Sequence, residues 1–210
     1  MTKPTQPEQY PADALSRSVT PLHEKNPNPQ GKGLVPVLRD WAMLRPQVQG
    51  QKSVHAFLRD YCLSSLVLAA EFRFKPVPGQ SYYLYASKQG WKLSLIAPGE
   101  WGKRDFGECL GCCELRNDMT WSVTPAANLQ EDGQALAQAQ EFVRSFVDTL
   151  QAQTSITEQL PFYVEALPYY QRMLATALSS SLNQTLPEGF DNPGTLLESA
   201  GYLKGLLPSG

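Results

Sequence analysis

Three cysteines stand close together, at Cys109, Cys112 and Cys113, and a fourth, Cys62, follows His55 by seven residues. Three thiolates and an imidazole could close a tetrahedral zinc site, and Cys-x-x-Cys is also the spacing of redox dithiols. The alternation rule speaks against the zinc site. In a regular strand Cys109 and Cys112 point to opposite faces, whereas zinc-binding pairs sit on a tight turn. The expectation is small buried or half-buried thiols, with no metal and no cofactor.

A second cluster is charged. Glu100, Lys103, Arg104, Asp105 and Glu108 lie with Trp101 in one stretch of the chain. Paired carboxylates and nearby cations could do general acid–base work, although charged loop residues are usually solvated. A third cluster is aromatic and basic: Tyr83, Tyr85 and Lys92. Flat rings beside a cation would suit a ligand with a planar and an anionic part, such as single-stranded nucleic acid. The two histidines, His23 and His55, have no visible partner for general-base work, and no nucleophile elbow, paired-histidine zinc motif or phosphate loop occurs. No catalytic residue is assigned.

These side chains must be positioned by two hairpins. After Pro76-Val77-Pro78-Gly79 the hydrophobic period is two, so Ser81 to Ala86 and Trp91 to Ala97 read as strands joined by Ser87-Lys88-Gln89-Gly90. Antiparallel pairing then sets Ala86 opposite Trp91, Leu84 opposite Leu93 and Tyr82 opposite Leu95 on the core face, with Tyr83 opposite Ser94 and Tyr85 opposite Lys92 on the other. That other face lies either beneath a helix or open to a ligand. Cys109 to Leu115 and Met119 to Val123 read as a second hairpin around Arg116-Asn117-Asp118, with Asp118 taking the left-handed position of the loop. Leu84, Leu93, Leu95, Leu115 and Trp121 are expected to share one core.

Helical periods flank the hairpins. A short helix or turn is expected over Val37 to Leu44. A central, largely buried helix is expected from Ser53, with Val54, Phe57, Leu58, Tyr61, Leu68 and Phe72 near one face. Asn128 with Glu131 resembles a capping box before the stripe Leu136, Ala139, Val143, Phe146 and Leu150. A last helix carries Tyr163, Leu167, Tyr170, Leu174 and Leu178, with Pro168 kinking or restarting it. Residues 1–35, with six prolines and few large apolar side chains, read as a mobile arm, residues 36–182 as one domain, and residues 183–210 as a tail with one short amphipathic turn.

Composition bounds the function. The 210 residues are 42% apolar and 18% charged, enough to build a core without disulfides, and the net charge of −2 argues against a chain that coats nucleic acid through bulk charge. Residues 1–116 nonetheless hold 15 Lys and Arg against 10 acids, while residues 117–210 hold three against 10. The basic part is either partly neutralised by the acidic part beside it or kept as a face for an anionic partner. No secretory signal and no run of about 20 apolar residues is present, so an intracellular, cytoplasmic chain with no membrane contact is expected.

Tyr82-Tyr83-Leu84-Tyr85, Ser94-Leu95-Ile96-Ala97-Pro98-Gly99-Glu100-Trp101-Gly102, Leu110-Gly111, Leu115, Asp118, Trp121 and Pro125 resemble the core of domain-of-unknown-function family 2452, over residues 80–125. The resemblance implies no known activity, cofactor or catalytic residue.

The expected fold is α+β, a four-stranded antiparallel meander covered on one face by the central helix and two C-terminal helices. The expected function is a non-catalytic interaction module for a protein or a nucleic-acid-containing assembly. Its contact residues would be Tyr83, Tyr85, Lys92, Glu100, Trp101, Lys103 and Arg104. The alternative is a small enzyme using the acidic and basic residues of the 100–108 loop.

Overall fold

Ser53 opens the first long helix because its Oγ accepts the Ala56 amide at 3.3 Å, satisfying a donor that the first turn leaves free. The structure is a computed structural model, and it describes residues 39–40, 42–102, 106–159 and 167–199. The arm at 1–35, Tyr163 and the Lys103–Asp105 step of the loop lie outside the described residues. Helix α1 spans Val54–Leu68 and buries Phe57, Leu58, Tyr61, Cys62, Leu66 and Val67, as its broad apolar stripe requires. It ends earlier than the apolar spacing to Phe72 predicts. The Gln171 side chain donates to the carbonyls of Leu68 at 3.2 Å and Ala70 at 2.6 Å, satisfying acceptors where the helix stops. Before α1, residues 39–40 and 42–43 are helical, within the expected 37–44 segment.

Four strands follow: β1 Ser81–Ser87, β2 Gly90–Ser94, β3 Glu108–Leu115 and β4 Trp121–Pro125. They form one sheet in the order β2-β1-β3-β4, with every neighbouring pair antiparallel. A meander would place β2 between β1 and β3. Here the outer edge of β2 is already occupied, because the Glu71 amide donates to the Trp91 carbonyl and the Leu93 amide to the Glu71 carbonyl. The third strand therefore pairs with the other edge of β1, the longer strand. At the opposite edge of the sheet the Trp121 amide of β4 donates to Ser64 Oγ of α1 at 2.9 Å, so α1 closes the start of that edge.

In the first hairpin Ala86, Leu84, Tyr85 and Tyr83 face Trp91, Leu93, Lys92 and Ser94, the register that the loop length predicts. The strand stops at Ser94, however, and Leu95 never pairs with Tyr82. In the second hairpin the register is displaced by two residues: Leu115 faces Trp121 and Cys113 faces Val123. A shift of two preserves the faces, so the expected core side remains the core side. Met119, not Asp118, takes the left-handed conformation, at φ 65°. Asp118 instead accepts the Thr120 amide with its own carboxylate, a local bond available to Asp in a turn.

The inner face of the sheet, with Tyr82, Leu84, Ala86, Leu93, Cys113, Leu115 and Trp121, packs on Leu66 and Val67 of α1 in one core. Residues of helix α2 (Gln134–Gln151) and helix α4 (Tyr169–Thr185) complete that core, including Ala139 and Leu174. This is the α+β arrangement expected. A second cluster gathers Phe57, Leu58 and Tyr61 of α1 with Leu150, Leu178 and Leu182. Ile156 of α3 (Ile156–Gln159) and Leu196 and Leu197 of α5 (Pro193–Ser199) join it. Helix α1 serves both cores, which is why its apolar stripe is so wide. Pro168 stands at the N-cap position of α4. Helix α2 begins at Gln134, and its first turn is capped not by Asn128 but by Glu108 of β3, whose Oε2 accepts the Ala135 amide at 2.9 Å. That acid, placed among the charged candidates by sequence, works on a helix terminus.

A half-buried ionic group around the buried Asp60 ties α1 to the β3–β4 turn. Lys52 Nζ lies 2.6 Å from carboxylate oxygens of both Asp60 and Asp118, and Arg116 pairs with Asp60. Burial alone would raise the pKa of Asp118, but hydrogen bonds from Lys52 and Thr120 outweigh it and hold the carboxyl below its usual value.

A braced aromatic turn on the outer sheet face

The outer face carries Tyr83 and Tyr85 of β1, Lys92 and Ser94 of β2, and Cys109 and Cys112 of β3. That both cysteines stand here corrects the alternation argument. The register slips between Leu84 and Tyr85, so Gly111 faces Leu84, Cys109 faces Tyr85 and Leu110 is the extra residue. The bulge returns Cys109 to the side of Cys112. Leu110 is buried in the inner core, while Gly111 approaches β4 so closely that a Cβ there would lie 2.2 Å from the Thr124 carbonyl oxygen.

The sheet still separates the thiols. Cys113 is in the inner core, Cys62 is buried in α1, and His55 is exposed. Among the described residues no group of three His, Cys, Asp or Glu side chains could hold a metal ion. Burial pushes the Cys62 thiol up to about 12 and raises Cys113 further. Burial also raises Cys109, against a bond from its thiol to the Gly111 carbonyl. Such thiols stay protonated and weakly nucleophilic at neutral pH.

Tyr85 is not an open platform. It is only 2% exposed, and the cover comes from a loop and not from a helix. The chain after β2 folds back and lays Trp101 and Phe106 over it. Their rings stack at 3.9 Å and 13°, and each meets Tyr85 nearly edge-on, at 6.0 and 5.3 Å. The Tyr85 hydroxyl donates to the Ile96 carbonyl at 2.9 Å and accepts from Trp101 Nε1–H at 2.9 Å. Lys92 Nζ stands 5.4 Å from the centre of the Phe106 ring, within cation–π range. Tyr83 is half-buried beside this group. Phe106, to which no role falls from the sequence, sits just before Gly107, where φ is +101° and a Cβ would meet the Ala86 carbonyl oxygen at 2.0 Å. Only glycine lets the loop return this close to β1.

The same fold-back exposes two aliphatic side chains. Ser94 Oγ accepts the Ile96 amide at 3.0 Å, a local turn that competes with the sheet ladder and ends β2. Leu95 therefore leaves the core expected for it and is 48% exposed, while Ile96 beside it is 38% exposed. A 3₁₀ turn, Pro98–Glu100, follows, and the Glu100 carboxylate accepts the Ala97 amide at 3.1 Å. Glu100 thus braces its own turn. Of the sequence candidates, Tyr83, Tyr85, Lys92, Glu100 and Trp101 are brought onto or beside one face. Lys103 and Arg104 lie outside the described residues.

Leu95 and Ile96 are the residues the period-two reading misassigns, and the available signal is Ser94, whose hydroxyl can end a strand. Among the described residues no helix is long and apolar enough to cross a membrane. No curated protein and no solved structure significantly matches this chain. Over residues 47–145, which include α1, both hairpins and the braced turn, the chain matches the family described as protein of unknown function (DUF2452), the family that its hairpins resemble.

Proposed function

We propose that the protein is a non-catalytic interaction module whose outer sheet face binds a partner protein through the Leu95–Trp101 turn. The observation that carries this reading is the pair of exposed aliphatics, Leu95 and Ile96, on a turn fixed by the Ser94 and Tyr85 hydrogen bonds. Holding apolar side chains in water is unfavourable, and a rigid turn loses little further entropy on docking. Trp101 is tied to the same Tyr85 hydroxyl as the Ile96 carbonyl, and aromatic content of this kind is typical of protein contact surfaces. Single-stranded nucleic acid is less well supported, because the Tyr85 ring that would stack a base is covered by Trp101 and Phe106. Catalysis by the 100–108 loop is also less well supported: Glu100 is engaged with Ala97 and Glu108 with the start of α2. A doubly substituted chain, Leu95→Asp with Ile96→Asp, tests the reading. It should melt close to wild type, since both sites are exposed, and should fail to retain the proteins that wild type captures from native lysate. Identical capture by a folded double variant would remove this face from consideration.

A further inference from the structure

Away from that face, residues 44–46 run against α4 and leave a cleft of about 300 Å³. Leu44, Pro46, Met173 and Ala177 form its apolar wall, and no aromatic ring is among the described lining residues. The wall therefore offers nothing on which a planar ligand would stack, whereas a flexible methionine beside aliphatic groups accommodates a flexible chain. Thr176 contributes little polarity, because its hydroxyl donates to the Arg172 carbonyl at 3.0 Å. The one charge in the described lining is Arg45, which is exposed and makes no ion pair with the described residues. Nearby Asp40 is paired with Lys75. An exposed guanidinium in the lining of an apolar cleft, unpaired among the described residues, favours an anionic head group, and a carboxylate is one it can bind through two parallel hydrogen bonds.

We propose that this cleft binds a free single-chain aliphatic carboxylate, its chain along Leu44, Met173 and Ala177 and its head group on Arg45. The full chain, labelled at its four methionine methyl groups, can be titrated with hexanoate, octanoate and decanoate and followed by nuclear magnetic resonance. The Met173 signal should move saturably while that of Met119, buried under the sheet, stays still. Affinity should rise roughly fourfold per added methylene until the cleft is full. Arg45→Gln, at an exposed site, should weaken decanoate roughly tenfold, as the loss of a charge-assisted pair requires, and leave decanol unchanged. An unmoved Met173 signal, equal binding of decyltrimethylammonium, or full decanoate affinity in Arg45→Gln would overturn the assignment. Cosedimentation with oleate-bearing phosphatidylcholine vesicles, without binding of soluble decanoate, would overturn it in favour of a membrane source.

Discussion

The two faces of the sheet are buried by different means. Helices cover the inner face with apolar side chains from α1, α2 and α4, and the contacts reach across long stretches of sequence. On the outer face, Tyr85 is covered by Trp101 and Phe106, which come from the connection between the two hairpins. Helical cover needs only the right hydrophobic face, because many shapes can fill a core of suitable volume. Local cover needs specific hydrogen bonds and a glycine at Gly107, because a short connection has little surface with which to offset its ordering. The inner face should therefore govern global stability, and the outer face the order of the turn.

The largest effect should come from the inner face. Trp121 is 1% exposed and meets Tyr82 edge-on at 5.7 Å, so Trp121→Ala should destabilise the fold by about 3–5 kcal/mol, read as a lower urea midpoint. An unchanged midpoint would break the comparison at its root.

On the outer face, Tyr85→Phe keeps the ring and removes the hydroxyl that joins Ile96 to Trp101. About 1–2 kcal/mol should be lost, with Trp101 Nε1–H and the Ile96 carbonyl left to find water. Tryptophan fluorescence should shift before the global transition as the turn loosens. A single coincident transition would show that the turn is not a separate unit.

The smallest effect concerns the ionic tie between α1 and the β3–β4 turn. Asp118→Asn should cost about 1 kcal/mol at neutral pH, since Lys52 retains Asp60. The folded pKa of Asp118 is depressed, so its contribution is present above the ordinary carboxylate value near 3.9 and is lost as pH falls through the lowered one. The gap between wild type and variant should therefore close on acidification, as urea melts at pH 7 and pH 3 can check. A gap that widens in acid would contradict the assigned sign.

By itself the sequence determined the α+β class, the register of the first hairpin, the inward face of both hairpins and the start of α1. Each follows from a local rule: a period of two, a loop length, or a serine before an apolar stripe. Even the two-residue shift in the second hairpin leaves the faces right, because side-chain direction repeats every two residues. Tertiary structure alone decided the rest. The strand order depends on which edge Glu71 occupies, and the common side of Cys109 and Cys112 depends on a bulge at Leu110. The first turn of α2 depends on Glu108, 27 residues earlier in the chain. The exposure of Leu95 and the burial of Tyr85 are one event, since the loop that leaves the ladder at Ser94 is the loop whose rings close over the tyrosine. Periodicity is a property of neighbours in sequence, whereas each of these outcomes is a competition between partners distant along the chain for the same backbone group or the same surface.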